Sequence, residues 1–477
     1  MNTNKLYKFL IPLGLCLVVI SCKTPAIAPS KSSASVPESY ATSKDTANSA
    51  SLTWKSFFKD PYLVELIDVA IKNNQELMIT LQEIEIAKND IRIRKGALLP
   101  TVGLRAGAGI EKVGTYTSQG AGDASAEITP GNRVPEALQD YTLAAYAHWE
   151  VDIWKKLRNS KKAAISRYLS TIEGKNFVIT NLIGEVANSY YELLALDNQL
   201  QTIRQTIVLQ NNALEIVKVQ KEAARATELG VQKFQAEVLA SQSMEFETLQ
   251  KIKETENRIN FLLARYPQEI KRNNSDFLGL PAALVNAGIP SQLLANRPDI
   301  KQAELELAAA KLDVKVARAE FYPSLDISAS YGLQAFNTNY LFTLPESLLY
   351  SLAGDLAAPL INRNAIKAEF KNANARQLQA LYNYERTLLN AYLEVSNQLS
   401  KISNIEKSFN LKSKQVTALN KSIEASNDLF KSARIDYFEV LMTQRDALEN
   451  KLELIDTKKE QLNASIQMYH NLGGGWK

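Results

Sequence analysis

The spacing of apolar residues predicts a very long helical stretch from about Lys155 to Tyr266. Apolar side chains recur there at intervals of three, four and seven residues, which is the spacing of a coiled-coil seam. Pro135 and Pro267 bracket the stretch, and because no proline lies between them nothing interrupts a helical backbone. A helix of about 60 residues would rise roughly 90 Å, more than an ordinary globular domain can hold. The seam consists of Ile183, Val186, Tyr190, Leu193, Leu200, Ile203, Ile207, Leu214 and Val217.

The second half of the chain repeats this stretch at a constant offset of 209 residues. Residues 185–188 (EVAN) match residues 394–397 (EVSN), and residues 224–231 (ARATELGV) match residues 433–440 (ARIDYFEV). No proline follows Leu360, so the second copy can also form long helices. An ungapped match over about 80 residues indicates an internal duplication.

A different period, with apolar and polar residues alternating, precedes each long helical stretch. Residues 102–110 and 141–153 alternate in the first half, and residues 325–333 and 347–360 alternate in the second. Period two predicts β-strands with one apolar and one polar face. The sequence therefore predicts four strands, two in each half.

Less regular segments precede and join the strands. A helical pattern from Leu63 to about Ala97 leads to the first strand, and residues 112–140, rich in Gly, Ser, Thr and Pro, are predicted to form the loop after it. The offset between the halves is 223 before the strands, where Lys88 matches Lys311, and 209 after them. The first loop is therefore about 14 residues longer than its counterpart.

The length of the strands suits either a membrane or a soluble sheet. About 9 to 11 tilted residues cross a bilayer, and small polar residues on one face with Trp, Tyr and Leu on the other suit a water-filled lumen surrounded by lipid. A soluble sheet packed on a core gives the same alternation, so this pattern alone leaves both possibilities open. Four strands cannot close a barrel, because about eight are the minimum, and open edges are not tolerated in lipid. A membrane barrel would therefore have to be shared between chains.

The N-terminus has the layout of a bacterial lipoprotein signal. Lys5 and Lys8 precede an apolar run over residues 9–20 that is too short to span a bilayer comfortably, and Cys22 follows it. We expect residues 1–21 to be removed and Cys22 to carry lipid. The alternative is an ordinary secretory signal that ends near a cysteine. A lipid anchor favours the membrane interpretation of the strands.

Composition and charge add little to this picture. Residues 22–53 are rich in Ser, Ala, Thr and Pro and are predicted to form a flexible tether after the lipidated cysteine. The net charge of +4 falls to +2 when two lysines leave with the signal. A nearly neutral chain gives no electrostatic reason to expect binding to nucleic acid.

No residue pattern predicts catalysis, a cofactor or a metal site. His148 and His470 are the only histidines, and they belong to distant segments; His148 is predicted to face the lumen from a strand. The glycines at 473–475 are not followed by Lys and Ser or Thr, so they do not form a phosphate-binding loop. Five methionines form no cluster of the kind that copper or silver export would suggest, and Cys22 is expected to carry lipid rather than act as a nucleophile.

Several motifs in this chain resemble those of one known family. They include AHWEVDIWKKLR over residues 147–158, IPSQLLANRPDI over residues 289–300, ARAEFYPSLDIS over residues 317–328 and the terminal NLGGGW over residues 471–476. With the opening at residues 54–63, they cover essentially the whole mature chain. On these motifs the chain resembles the TolC-like outer membrane factor family, in its NodT/OprM-type branch of efflux lipoproteins.

The resemblance implies a fold that is mainly α with transmembrane β. Long helices would form a periplasmic α-barrel, continuous with a twelve-stranded outer-membrane β-barrel to which each chain of a homotrimer gives four strands. Such proteins dock onto a periplasmic adaptor protein and an inner-membrane pump, usually of the RND type. The implied function is a passive exit duct for small molecules in the bacterial outer membrane, with contacts to lipid and none to nucleic acid.

The resemblance also implies a pore gate at the periplasmic turns of the two helical hairpins. These turns are expected near Ala224–Val231 and Ala433–Val440, where alanine stands in place of the family's turn glycine. Glu439 and Asp436 are the predicted charge ring at the constriction, because crowded carboxylates disfavour joint ionisation without a counter-ion. Arg434 is a further gate candidate that would pair with an acid on a neighbouring helix. Solvated surface acids on a helix are the alternative.

The expected plan of the chain is a signal, a tether and two structural repeats. Each repeat would contain a helix, two strands and a long helical hairpin, over residues 54–288 and 289–477 after the signal (1–21) and the lipidated tether (22–53). Two other functions stay open. One is the outer-membrane channel of a type I protein secretion system, and the other is a coiled-coil envelope lipoprotein without a pore, which would need no amphipathic strands.

Overall fold

The computed structural model describes residues 27, 37–40, 47–273, 276–283, 285–359, 361, 363–432 and 434–476. The predicted signal over residues 1–21 and the predicted lipidation site at Cys22 lie outside these residues. Over the described residues, no helix contains an apolar run long enough to cross a membrane.

Four long helices, arranged as two hairpins, dominate the chain. In the first, α5 (Lys156–Glu222) has 67 residues and α6 (Glu228–Leu262) has 35. In the second, α9 (Asn364–Lys431) has 68 and α10 (Tyr437–Asn471) has 35. The shorter helices are α1 (Trp54–Phe57), α2 (Pro61–Asn73), α3 (Gln75–Gly96), α4 (Ser118–Ser125), α7 (Gln292–Asn296) and α8 (Pro298–Ala319).

The bounds of the two hairpins agree with the predicted duplication. The last residues of α5 and α9, and both bounds of α6 and α10, differ by the predicted 209 residues, and α3 and α8 have 22 residues each at the predicted offset of 223. The turns begin somewhat before the predicted ranges. In the first, Thr227 caps α6 by accepting a hydrogen bond from the Gly230 backbone, so the helix resumes early.

The helix predicted from Leu63 to about Ala97 is interrupted at Asn74, which separates α2 from α3. The Asn74 side chain accepts a bond from the backbone of Leu77, as an N-cap does, and donates one to the carbonyl of Leu262, the last residue of α6. At the equivalent place in the second half, Arg297 donates to the carbonyl of Asn471, the last residue of α10. In both halves, a side chain preceding the 22-residue helix thus satisfies an orphan carbonyl at the end of a hairpin.

The four predicted strands form one antiparallel sheet. They are β1 (Thr101–Glu111), β4 (Leu138–Val151), β5 (Ser324–Ala335) and β6 (Leu348–Ala357), hydrogen-bonded in that order. The register places Val102, Ala147, Ala329 and Leu352 in one row, so the predicted apolar faces of all four strands coincide. The bounds agree with the predicted alternation to within a few residues.

The segment predicted as a loop over residues 112–140 is more ordered than expected. It contains α4 and a two-stranded hairpin made of β2 (Glu127–Thr129) and β3 (Asn132–Arg133). Thr117 caps α4 by accepting a bond from the Gly120 backbone, which offsets the poor helix propensity of this Gly- and Ser-rich stretch. The loop prediction was therefore wrong at these residues.

The described part of the predicted tether also differs from expectation. Tyr40 is only 1% exposed and stacks on Tyr392 with ring centroids 5.4 Å apart. Asn48 pairs with Ala287, and the backbone of Ser49 donates to that of Asn286. Burial of an aromatic ring and these backbone bonds compensate for the loss of chain entropy. A flexible tether is therefore wrong for residues 37–40 and 47–53.

Two compact units make up the fold, and each draws segments from both halves of the chain. The first comprises residues 86–168 and 305–381, with the sheet, together with residue 27. The second comprises residues 32–85, 169–304 and 382–477, with most of the hairpins. Its largest apolar cluster buries residues of the predicted seam, among them Val186, Tyr190 and Leu193, against α2 and α10.

Candidate functional site

The three predicted gate residues lie together at the tip of the second hairpin. Asp436 occupies the N-cap position of α10, Glu439 lies in its first turn, and Arg434 lies in the preceding turn. All three side chains are exposed. Ala433, the first residue of the predicted turn, lies outside the described residues.

The charges at this tip are free to act on solvent or on a neighbouring molecule. Asp436 makes no side-chain capping bond, and within the described residues no ion pair joins Asp436, Glu439 or Arg434 to another side chain. The positive end of the helix dipole favours the two acids at this position. The pairing expected of Arg434 is thus not formed within one chain, and the two acids share one edge of the hairpin tip.

An apolar cluster fixes the two hairpin tips against each other. Phe234 and Val440 are fully buried there, and Phe430 is 3% exposed. The cluster joins all four long helices, so the position of the acids depends on both hairpins. The other buried members are Ala213, Leu214, Val217, Val231, Val238 and Leu441.

A close contact between the tips passes through a glycine. A Cβ atom added to Gly230 would lie 3.3 Å from the ring of Tyr437, closer than most such contacts, so the missing side chain lets this ring approach. One turn away, Lys233 Nζ lies 5.1 Å from the centroid of the Phe438 ring, within the range of a cation–π contact. Sequence reasoning missed both contacts, although a glycine in the first turn of a long helix was a usable signal.

Over the described residues no group of three or more His, Cys, Asp or Glu side chains is placed to hold a metal ion. His148 lies on the polar face of the sheet, as predicted for a lumen-facing residue, with its Nε2 atom 3.7 Å from Oδ1 of Asp326. His470 lies elsewhere, half-buried on α10.

The sheet supplies the second functional surface, because its two faces differ in chemistry. Apolar side chains on one face are widely exposed, with Leu104 at 82% and Leu352 at 80%. The other face carries small and polar residues, where Ser330 Oγ and Ser351 Oγ lie 2.7 Å apart and the Tyr146 ring covers Gly103. The exposed apolar residues are Val102, Leu104, Ile110, Leu143, Tyr331, Leu348, Tyr350, Leu352 and Leu356.

Known proteins share this sequence over nearly its whole length. The model of the outer membrane efflux protein family matches residues 66–265 and 289–474. The solvent efflux pump outer membrane protein SrpC of Pseudomonas putida is 27% identical over 471 residues, covering 98% of this chain and 97% of the relative. The probable outer membrane lipoprotein SilC of Salmonella typhimurium is 25% identical over 478 residues, covering 98% of each.

A solved structure shares the fold. The open state of the MtrE outer membrane channel of Neisseria gonorrhoeae superimposes with a TM-score of 0.80, at 21% identity, over 95% of this chain and 98% of that one. This likeness confirms the predicted fold class, in which the long helices of an α-barrel are combined with β-barrel strands.

Proposed function

Because the chain belongs to the outer membrane efflux protein family, we propose that three copies of it enclose one conduit through the outer membrane. Family membership establishes the general function, which is that of the outer-membrane channel of an efflux pump. The number of copies, the partners, the cargo and the gate are our proposals.

The two open edges of the sheet carry this proposal. β1 and β6 each pair with one neighbour only, so each leaves a row of backbone N–H and C=O groups unpaired among the described residues. Such groups cost several kcal/mol each when exposed to lipid, as an order of magnitude. Pairing β6 of one copy with β1 of the next removes both edges, and three copies give a closed barrel of twelve strands.

The chemistry of the two faces supports the same assembly. In a closed barrel the exposed apolar residues, such as Leu104 and Leu352, would face lipid, and the opposite face, which carries His148, Ser328 and Arg105, would face water. That arrangement keeps the lumen hydrated and suited to passive conduction of small molecules. Nothing in such a lumen needs catalysis, and we infer that the chain is not an enzyme.

A channel in the outer membrane needs a separate energy source, since this conduit is passive. We propose that the hairpin tips engage a periplasmic adaptor protein, and that an inner-membrane transporter of the RND class delivers the cargo. The name of the relative SrpC, a solvent efflux pump protein, supports small molecules rather than secreted proteins as cargo. We further propose that Cys22 carries lipid, which the name of the relative SilC, a probable outer membrane lipoprotein, supports.

Conduction by the purified protein tests the main proposal. We expect trimers by light scattering in detergent, and single-channel currents when they are reconstituted in planar bilayers, together with swelling of proteoliposomes in small sugars. A spacer lipoprotein without a pore would give neither currents nor swelling. Export of a folded reporter protein, but not of small dyes, by cells that carry the complete pump would instead identify a protein secretion channel.

The gate proposal has its own test. Three copies of Glu439 and Asp436 around one axis would attract cations, so the double variant Glu439→Gln with Asp436→Asn should lose at least half of the cation selectivity of the channel. The matched control is Glu245→Gln with Glu247→Gln, which removes two acids from α6 far from the tip. Unchanged selectivity in the first variant, or an equal loss in the second, would reject the charge ring without affecting the assignment as a channel.

A further inference from the structure

Positive charge is concentrated at the four places where a strand of the sheet joins a helix. Within residues 88–99, 152–163, 311–322 and 361–372 there are 15 Lys or Arg and only five Asp or Glu, which gives a net charge of +10. The whole chain carries +4, so the rest of it is acidic. The register places all four junctions at the same end of the sheet. We call these four segments the basic belt.

The opposite end of the sheet has the opposite charge. Residues 111–140 and 335–348, which connect the strands there, contain six Asp or Glu and two Lys or Arg, a net charge of −4. The two ends of the sheet therefore carry opposite net charge, and the positive end is the one at which the strands join the helices. Charges placed at random along a nearly neutral chain would not be expected to separate between the two ends of the sheet in this way.

The acids of the basic belt do not compensate its exposed lysines, because four of the five acids pair with arginines. Asp90 pairs with Arg94, Asp152 with Arg158, Asp313 with Arg167 and Glu369 with Arg376. Six exposed lysines are left with no ion pair among the described residues, and their mutual repulsion favours an external anion. They are Lys95, Lys155, Lys162, Lys315, Lys367 and Lys371.

Two tryptophans mark the depth of the basic belt in a membrane. Trp154, 46% exposed, stacks on Tyr322 at 4.8 Å and donates from Nε1 to the carbonyl of Pro323. Trp149 donates to the carbonyl of Leu98. Indole rings with a bonded polar edge prefer the boundary between hydrocarbon and headgroups. The adjoining lysines therefore lie at the level of lipid headgroups.

We propose that the basic belt binds the anionic headgroups of phospholipids in the inner leaflet of the outer membrane. The proposal rests on the outer-membrane location of the family and on its helices extending into the periplasm, which place the junctions at the inner leaflet. A basic residue near an anionic lipid surface contributes about 1 kcal/mol, equivalent to about a fivefold change in affinity. Phosphatidylglycerol should therefore be enriched around the channel over phosphatidylcholine.

Quenching of tryptophan fluorescence by brominated lipid measures this preference on the full-length channel. Trp149 and Trp154 are the two of the four tryptophans that belong to the unit with the sheet. In vesicles that mix brominated phosphatidylglycerol or brominated phosphatidylcholine with unlabelled lipid, we expect a relative binding constant of at least about 5 for the anionic lipid. We expect the preference to fall as NaCl rises, because salt screens exposed charges.

Charge-neutral variants locate the effect. Replacing five of these six lysines, Lys95, Lys155, Lys162, Lys315 and Lys367, with Gln should bring the relative binding constant to within about twofold of one. The matched control replaces five exposed lysines outside the belt, and it should keep the preference of the unaltered protein. The control positions are Lys251, Lys401, Lys407, Lys414 and Lys421.

Each other outcome counts against the proposal. A preference that survives in the belt variant, or is lost equally in the control, shows that these lysines do not bind lipid. A changed anion permeability in planar bilayers with an unchanged lipid preference shows that the belt lines the conduit instead. If the five-residue variant does not form trimers, the salt series on the unaltered protein decides, and a preference insensitive to salt overturns the proposal.

Discussion

Arg297 is the centre of a charged network that includes the end of α10. Its guanidinium is 5% exposed and forms a bidentate pair with Asp299, through bonds of 3.0 and 2.6 Å, and a bond of 2.7 Å to Glu394. Burial works to lower the pKa of Arg297, but the bonds to these acids outweigh it and raise the pKa above its ordinary value. Arg297 is therefore a permanent charge that bridges α8, α9 and the end of α10.

Removing this guanidinium should destabilise the fold. We expect Arg297→Gln to lower the free energy of unfolding by about 3 kcal/mol, because it leaves acids and the carbonyl of Asn471 without a donor in a buried place. The control Arg376→Gln removes an exposed pair with Glu369 and should cost less than about 0.5 kcal/mol. Chemical denaturation at fixed protein and detergent concentrations measures both. Equal losses in the free energy of unfolding would show that the buried Arg297 pair stabilises the fold no more than an exposed pair does.

His470 is half-buried next to this network. Burial lowers the pKa of His470, and the nearby charge of Arg297 adds to that effect, while the bond to Asn471 opposes it. Its Nε2 atom lies 2.5 Å from Oδ1 of Asn181 on α5. The charged groups that act on it are Arg297, Asp299 and Glu394.

This burial should make stability depend on pH. Because the pKa of His470 is lowered in the folded chain, the unfolded chain binds the proton more readily, and stability is complete above the ordinary pKa of 6.5. It falls as the pH drops below that value, by up to about 1.4 kcal/mol per pH unit. We expect His470→Gln to flatten the decline in unfolding midpoint between pH 7.5 and 5.5. His148→Gln, at a side chain that is 58% exposed, should leave the slope unchanged.

Among elements, three of the four long helices, α5, α6 and α10, share one kind of ending that the sequence only partly indicates. After α5 and α6 the chain turns through Ala224 (φ 54°) and Ala264 (φ 53°), and after α10 through Gly473 (φ 85°). In each case, the next backbone N–H bonds to a carbonyl five residues earlier, as in a Schellman motif. The duplication predicts the equivalence of Ala264 and Gly473, but only the backbone angle shows that alanine is strained there.

These endings give opposite predictions for equivalent residues. Ala264→Gly should stabilise the protein by about 1 kcal/mol, because glycine adopts positive φ without a Cβ clash. Gly473→Ala should cost more than about 2 kcal/mol, since a Cβ there would lie 2.5 Å from the carbonyl oxygen of Asn296 in addition to the backbone strain. Denaturation midpoints of the two variants, measured beside the unaltered protein, should move in opposite directions. A shift in the same direction would contradict the strain argument.

The sequence predicts elements well where one physical rule decides them. Alternation fixed the strands to within a few residues, because a slip of one residue would turn every apolar side chain of the sheet to the wrong face. The break at Asn74 and the ordered helix α4 were missed, because each depends on a single side chain that caps a helix. The acids of the hairpin tip were predictable from their position, whereas the contact of Tyr437 with Gly230 depends on the packing of two hairpins far apart in sequence.

At the scale of the whole molecule, one apolar stripe has no partner within the described part of the single chain. Ile79, Ile86 and Ile93 recur every seven residues along α3 and are 62%, 68% and 67% exposed. Exposed apolar residues that repeat every seven positions on one helix are typical of a coiled-coil contact with a second helix. Full burial of an isoleucine contributes about 1.5–3 kcal/mol, so three copies of the stripe would add substantially to a trimer.

Placing a charge in this stripe should therefore break the assembly without unfolding the subunit. We expect Ile86→Asp to shift the protein from trimer to monomer in light scattering and to abolish conductance, because a carboxylate buried between helices without a partner costs several kcal/mol in each subunit, as an order of magnitude. The control Asn89→Asp adds the same charge to the same helix at an exposed polar position and should leave the trimer intact. Circular dichroism should show unchanged helix content in both. If Ile86→Asp still forms a conducting trimer, the contact between subunits lies elsewhere. The isoleucine stripe of α3 would then not stabilise the proposed assembly.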